Sequence, residues 1–170
     1  IVMTKWAGLE GTSIIAAEKE EKLLETLPRE LVDVAKGFKE YLSVIPESKI
    51  AMEVGVSAMH DVTEGGVFGA LWELGEASGV GITAHLDKIP IKQETIEVCE
   101  VFKINPYMLI SSGSMMIGCE KGNLLVEKLE EAGINAAVIG RATEGNDRIV
   151  VSRDETRYIG PAGSDELYKI

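Results

Sequence analysis

The chain is 170 residues long, 45% of them apolar, with a formal net charge of −11 at pH 7. That size and composition suit a single soluble α/β domain with a sizeable core, and the acidic balance argues against sustained contact with a nucleic-acid backbone, which needs clustered Lys and Arg. No apolar run approaches the ~20 residues of a membrane span and no basic-then-apolar stretch opens the sequence, so cytoplasm is the default expectation.

In chain order, Ile1 to Lys5 reads as a strand, and a turn from Gly8 to Gly11 leads into a helix expected to run to about Leu27, where Pro28 punctuates. A second helix is predicted from Pro28 to Tyr41, with Leu31, Val34, Ala35 and Phe38 on one face, and Pro46 closes that hairpin. Ser48 to Val54 suits a short helix, and the apolar stretch from Val54 to Val62 contains a strand from Ser57 to Val62, read as buried. Val67 to Ala77 is helical by period, with Val67, Leu71 and Leu74 inward, and Val80 to Leu86 alternates as a strand. Gln93 to Phe102 and Asn123 to Ala132 are expected helices; Ser114 to Cys119, Ala136 to Ile139 and Arg148 to Ser152 are expected strands, followed by a polar tail. Strands alternating with helices predict a mixed β-sheet with helices packed against it. The first residue is Ile and the chain enters a strand at once, so further sequence is expected upstream.

The stretch Met59-His-Asp-Val-Thr-Glu-Gly-Gly66 holds the main site expectation. Asp61 or Thr63 can cap free N–H groups of a helix starting near Glu64. Gly65 and Gly66 remove the side chains that would keep a phosphate or carboxylate from its N-terminus. An ordinary capped helix with tightly packed glycines carries the same signature. The Gly8-Leu-Glu-Gly-Thr12 turn lacks the spacing and the Lys of a phosphate-cradling loop, and Ser111-Ser-Gly-Ser114 presents hydroxyls and amides but is equally an ordinary turn. His60 has no partner at triad spacing and reads as a strand histidine held by hydrogen bonds, and His85 as a solvent-facing one. Cys99 and Cys119 form no Cys-x-x-Cys pair and read as buried, reduced thiols. The run Glu18-Lys-Glu-Glu-Lys22 reads as a solvated face pairing Glu18 with Lys22. No metal-ligating set is expected.

The wording of these motifs resembles the C-terminal half of the aminoimidazole ribonucleotide (AIR) synthase superfamily. That superfamily includes AIR synthase, formylglycinamide ribonucleotide amidotransferase, selenophosphate synthetase, thiamine-monophosphate kinase and HypE-like hydrogenase maturation factors. Met59 to Gly66 is similar to its Asp-Val/Pro-Ser/Thr-x-Gly-Gly motif; Ile1 to Lys5 with Gly8 to Thr12 resembles the strand and turn opening its second half. Gly81 to Pro90, Leu109 to Gly113 and Val138 to Arg141 resemble later anchors in the right order. The resemblance implies an α/β domain of the AIR synthase C-terminal type spanning residues 1 to 170, with the ATP-binding half absent.

By the same resemblance the whole protein is an ATP- and Mg²⁺-dependent, homodimeric enzyme that phosphorylates an amide or acid oxygen, with a maturation protein as a further partner. This domain alone is expected to bind neither cofactor and to be inactive. The implied site residues are Asp61 as the catalytic candidate, with Thr63, Glu64, Gly65, Gly66, Ser111, Ser112, Gly113, Gly8, Gly11 and Thr12 binding substrate or phosphate. The hydrogenase-maturation flavour rests on Met59 to Gly66 and on Cys99-Glu100 ahead of Asn105-Pro106. Two departures stand against it. The chain ends Ser164-Asp-Glu-Leu-Tyr-Lys-Ile170 without the terminal Cys that carries the carbamoyl group there, and Leu109 to Gly113 replaces the usual Asn-Glu-Gly. A purine-pathway ligase or small-molecule kinase of the superfamily, and a non-catalytic nucleotide-binding or scaffold subunit, are the alternatives.

Overall fold

In a computed structural model describing residues 1–170, the mixed α/β class expected from the sequence holds, but the strands form two four-stranded sheets. The first joins β1 (Val2–Thr4), β2 (Ala58–Asp61), β4 (Met115–Gly118) and β5 (Ala136–Val138) in the order β2-β4-β1-β5, antiparallel throughout. The second joins β3 (Gly81–His85), β6 (Gly140–Thr143), β7 (Arg148–Ser152) and β8 (Glu155–Tyr158) in the order β6-β3-β7-β8, where only β3 and β7 run parallel. Ile139 stitches the two together, its amide donating to Ile1 O and its carbonyl accepting from His85 N. Because β5 and β6 are separated by this single residue, the chain crosses between sheets where Gly140 approaches Thr83 O too closely for any Cβ.

Seven helices cover these sheets: α1 (Leu9–Glu18), α2 (Glu20–Leu24), α3 (Arg29–Gly37), α4 (Ile45–Val54), α5 (Gly66–Ser78), α6 (Gln93–Phe102) and α7 (Gly122–Glu131). The pairs Val2↔Ile117 and Met3↔Met116 explain why the central strands are apolar at successive positions. Met3 and Met116 face the inter-sheet core with Leu71, Leu74 and Ile82, whereas Val2 and Ile117 face α4 and α7 through Ala51, Leu125 and Leu129. A strand buried on both faces loses its alternation. A separate cluster, Ile15, Leu23, Val32, Ala35, Val98, Cys99 and Leu109, joins α1, α3 and α6.

Several expectations need correction. The first helix breaks at Lys19 and ends at Leu24, so Lys22 pairs with Glu25 and Glu20 with Lys36, in place of the Glu18–Lys22 pair. On α3 the inward residues are Val32 and Ala35, continued by Phe38, while Val34 is exposed. Pro46 lies in the first turn of α4, where its missing N–H costs nothing, and does not end an element. The stretch ahead of β2 is helix, and β2 is a half-exposed edge strand, not a buried one. Cys99 is buried but Cys119 only partly so, and His85 is half-buried.

Candidate functional site

The glycine-led turn forms where the sequence places it, but α5 begins at Gly66 rather than near Glu64, and neither Asp61 nor Thr63 caps it. Asp61 ends β2 and Gly65 caps α5 in a left-handed conformation, φ 78°. Gly66 follows at φ 60°, and a Cβ there would lie 2.6 Å from Leu109 O and 2.7 Å from Tyr107 O. Only glycine meets both demands, the backbone conformation and the close approach. Its amide closes the turn onto Thr63 O at 3.0 Å.

Folding brings the other two predicted loops to the same place. The register that pairs Asp61 with Met115 continues in a hydrogen bond from Val62 N to Ser114 O (3.0 Å), so the Ser111–Ser114 turn lies beside the turn that follows β2. The Gly8 turn fastens to its far side. Gly8 N donates to Ser111 Oγ (2.6 Å), Gly11 N to Ile110 O (2.9 Å), and Ser114 Oγ to Trp6 O (2.7 Å). Gly11 has no room for a side chain, since its Cβ would meet Leu109 Cγ. Thr12 is buried and bonds to Thr95. Gly8 and Ser111 are therefore occupied with each other, Gly11 with Ile110 and Thr12 with Thr95, and Gly113 is buried with a backbone φ of 101°. By contrast, Asp61 is exposed, Thr63 and Ser112 are partly exposed, and none of the three makes a side-chain hydrogen bond within the chain. His60 leans on the same strand end, with Nδ1 against Asp61 O and Nε2 3.3 Å from Glu73.

The polar tail supplies site residues that the sequence reading missed. Asp165, 2% exposed, accepts from Gly65 N at 2.8 Å through one oxygen and from Leu167 N at 2.9 Å through the other. A carboxylate thus sits where the helix N-terminus favours negative charge. Ala162 packs over Gly65 and Gly69, and Tyr168 donates to Glu64 Oε1 at 2.6 Å, a bond that holds its phenol above the usual range. The segment 157–163 roofs a cavity of about 210 Å³ above Phe68, Met108 and Val150. The available signal was Leu167 and Ile170, apolar residues in a polar end, which pack against the α1–α3–α6 cluster. Nearby, Phe68 and Tyr107 stack at 5.6 Å, and burial raises the Tyr107 phenol. No group of three or more His, Cys, Asp or Glu side chains converges to hold a metal, and no helix is long and apolar enough to cross a membrane.

Residues 1–152 match the AIR synthase related protein, C-terminal domain. The chain belongs to this family. It is 33% identical over 153 residues to a protein of Methanocaldococcus jannaschii named for hydrogenase expression and formation, covering 84% of this chain and 45% of that one. It is 23% identical over 139 residues to the carbamoyl dehydratase HypE of Rhodobacter capsulatus, covering 79% and 38%. The fold superposes on the crystal structure of Escherichia coli HypE with a TM-score of 0.79 at 22% identity, over 99% of this chain and 52% of that one. A HypE structure in complex with ATP gives 0.72 at 15% identity (98% and 51%), and a HypE–HypF complex 0.73 at 18% identity (95% and 52%). The chain therefore spans about half the length, or less, of these relatives. The family match stops at β7, so β8 and the tail over Gly65 lie outside it.

Proposed function

We propose that this AIR synthase related domain forms the acceptor-substrate side of an ATP-dependent, HypE-like enzyme that activates an amide or acid oxygen by phosphorylation. In such a step the γ-phosphoryl of ATP passes to the acceptor oxygen, ADP leaves, and the phosphorylated oxygen becomes a leaving group. The reaction needs positioned phosphates and preorganised polar groups around the reacting oxygen. The observation that carries the reading is the juxtaposition of two polar turns, distant in sequence, at one end of the β2–β4 pair, with Asp61, Thr63 and Ser112 unengaged there.

In this reading Thr63 and Ser112 contact a small polar acceptor, and Asp61 orients the glycine turn or joins the substrate network. Gly8, Gly11, Thr12, Ser111 and Gly113 hold the two turns in register. Glu64 and Gly65 become available to a ligand when Tyr168 and Asp165 withdraw, and Gly66 fixes the turn between them. The HypE structure solved with ATP supports ATP as phosphoryl donor, and the HypE–HypF complex supports a maturation protein as partner. No three His, Cys, Asp or Glu side chains converge in this domain, and in this reading it supplies at most a carboxylate such as Asp61 to an ion held mainly elsewhere. The ligands for the ion, and the surface of a homodimer, are assigned to the half that the relatives carry beyond this domain.

The test is ADP release from Mg-ATP by a protein joining this domain to that other half, screened against carbamoyl, amide and phosphorylated-ribose acceptors. Acceptor-stimulated release that is lost in Asp61→Ala and reduced in Ser112→Ala is the expected result. Stimulation by phosphorylated ribose alone moves the assignment to a purine-pathway ligase. ATP binding without release under every condition overturns the reading in favour of a non-catalytic binding subunit.

A further inference from the structure

Lys5 follows β1 in a left-handed backbone conformation, φ 51°, which a side-chain-bearing residue keeps only when its surroundings enforce it. Those surroundings are four oxygens. Its Nζ lies 2.8 Å from Tyr41 O, 2.7 Å from Ser43 O, 2.9 Å from Gly113 O and 2.5 Å from Glu47 Oε1. Lys5 is 7% exposed and Glu47 fully buried. An ammonium group has three protons, and the three carbonyls take them. The Glu47 carboxylate therefore faces the charge without a proton directed at it, and neither of its oxygens has a hydrogen-bond donor. The contact is an ion pair.

Three carbonyls and a carboxylate, drawn from the segment after α3, from α4 and from the Gly113 turn, converge on one positive point. All-oxygen shells rich in backbone carbonyls are how proteins hold hard and alkali cations. We propose that this is a monovalent-cation cage whose tethered occupant is the Lys5 ammonium. The charge, rather than the aliphatic stem, fastens the Gly113 turn and α4 to β1. It follows that Lys5→Ala opens a four-oxygen site for potassium or ammonium ion, whereas Lys5→Met keeps the stem and ends in an uncharged methyl near the former Cε, too close to the ammonium position to admit an ion there. The inference is independent of the reaction proposed above, since it concerns what holds the turn and not what the turn binds.

Thermal unfolding of the 170-residue chain tests it, with KCl or NH₄Cl exchanged for tetramethylammonium chloride at constant ionic strength. Both variants are expected to melt about 10 °C below the parent, because each leaves a buried carboxylate without its counter-charge. Lys5→Ala alone should then recover by about 4 °C for each tenfold rise in potassium above its dissociation constant. Equal responses from the two variants, or no potassium-specific recovery, overturn the proposal. Should neither variant fold, the parent decides. Three bonds to buried carbonyls predict a slowly exchanging ¹⁵N ammonium resonance for Lys5 at neutral pH, insensitive to potassium, and its absence overturns the cage.

Discussion

Replacing Gly66 with alanine separates a backbone-conformation effect from a close-approach effect. Gly79, the C-cap of α5, provides the reference: its φ is 63° and no atom lies within 4 Å of a Cβ placed there. Gly79→Ala should cost about 1 kcal/mol, the left-handed penalty of roughly 1–2 kcal/mol being partly offset by the reduced freedom of the unfolded chain. Gly66 has nearly the same φ, 60°, so the conformational part is the same. Its Cβ, however, would meet Leu109 O, Tyr107 O and Leu109 N at 2.6, 2.7 and 2.9 Å, all backbone atoms of the turn that packs on α5. Moving backbone out of the way adds roughly 1–3 kcal/mol of overpacking. Gly66→Ala should therefore fall below Gly79→Ala by about 2 kcal/mol in urea unfolding, with unchanged m-values. A difference under about 1 kcal/mol would refute the claim that contact with the 107–109 backbone, and not φ, is what makes position 66 glycine.

Three further predictions bear on the core, the tail and the thiol. Leu71, fully buried between the sheets, should cost roughly 2–5 kcal/mol on truncation to alanine, whereas Met52→Ala at an exposed position of α4 should stay within about 0.5 kcal/mol in the same urea assay. Asp165→Ala removes the acceptor for Gly65 N and should speed hydrogen exchange of that amide about five- to tenfold, leaving the exchange of β4 unchanged. Burial pushes the Cys99 thiol from 9.0 up to about 12, so the folded state holds the proton while the unfolded chain releases it. Stability from this group is complete below pH 9 and falls between pH 9 and 12 by about 1.4 kcal/mol per unit, so Cys99→Val should make the slope in urea titrations across that range shallower by that amount, leaving what the raised Cys119 thiol and the Tyr107 and Tyr168 phenols contribute.

Local signals carried the elements that bury one regular face. Gln93 to Phe102 is helix over the residues its period marks, and the glycine helix begins at the glycines themselves. The strands β6 and β8 were not legible. The residues of β8 are all exposed and β6 reads Gly-Arg-Ala-Thr, so neither has an apolar alternation; each exists because β3 or β7 offers it a backbone edge. The break at Lys19 was equally silent, since Glu and Lys suit a helix on either side of it.

The sequence by itself determined the α/β class, the glycine turn and its likeness to the AIR synthase C-terminal domain, because these rest on period and on residue types that few backbone conformations accept. Only tertiary structure decided which predicted site groups remain free. Gly8, Gly11 and Ser111 are consumed by the contacts that bring the turns together, Thr12 by its bond to Thr95 of α6, Asp165 fills the amide at Gly65, and Asp61, Thr63 and Ser112 are left open. Whether a polar group is available depends on its partner across the fold, and hydrogen bonds between residues a hundred positions apart leave no local pattern to read.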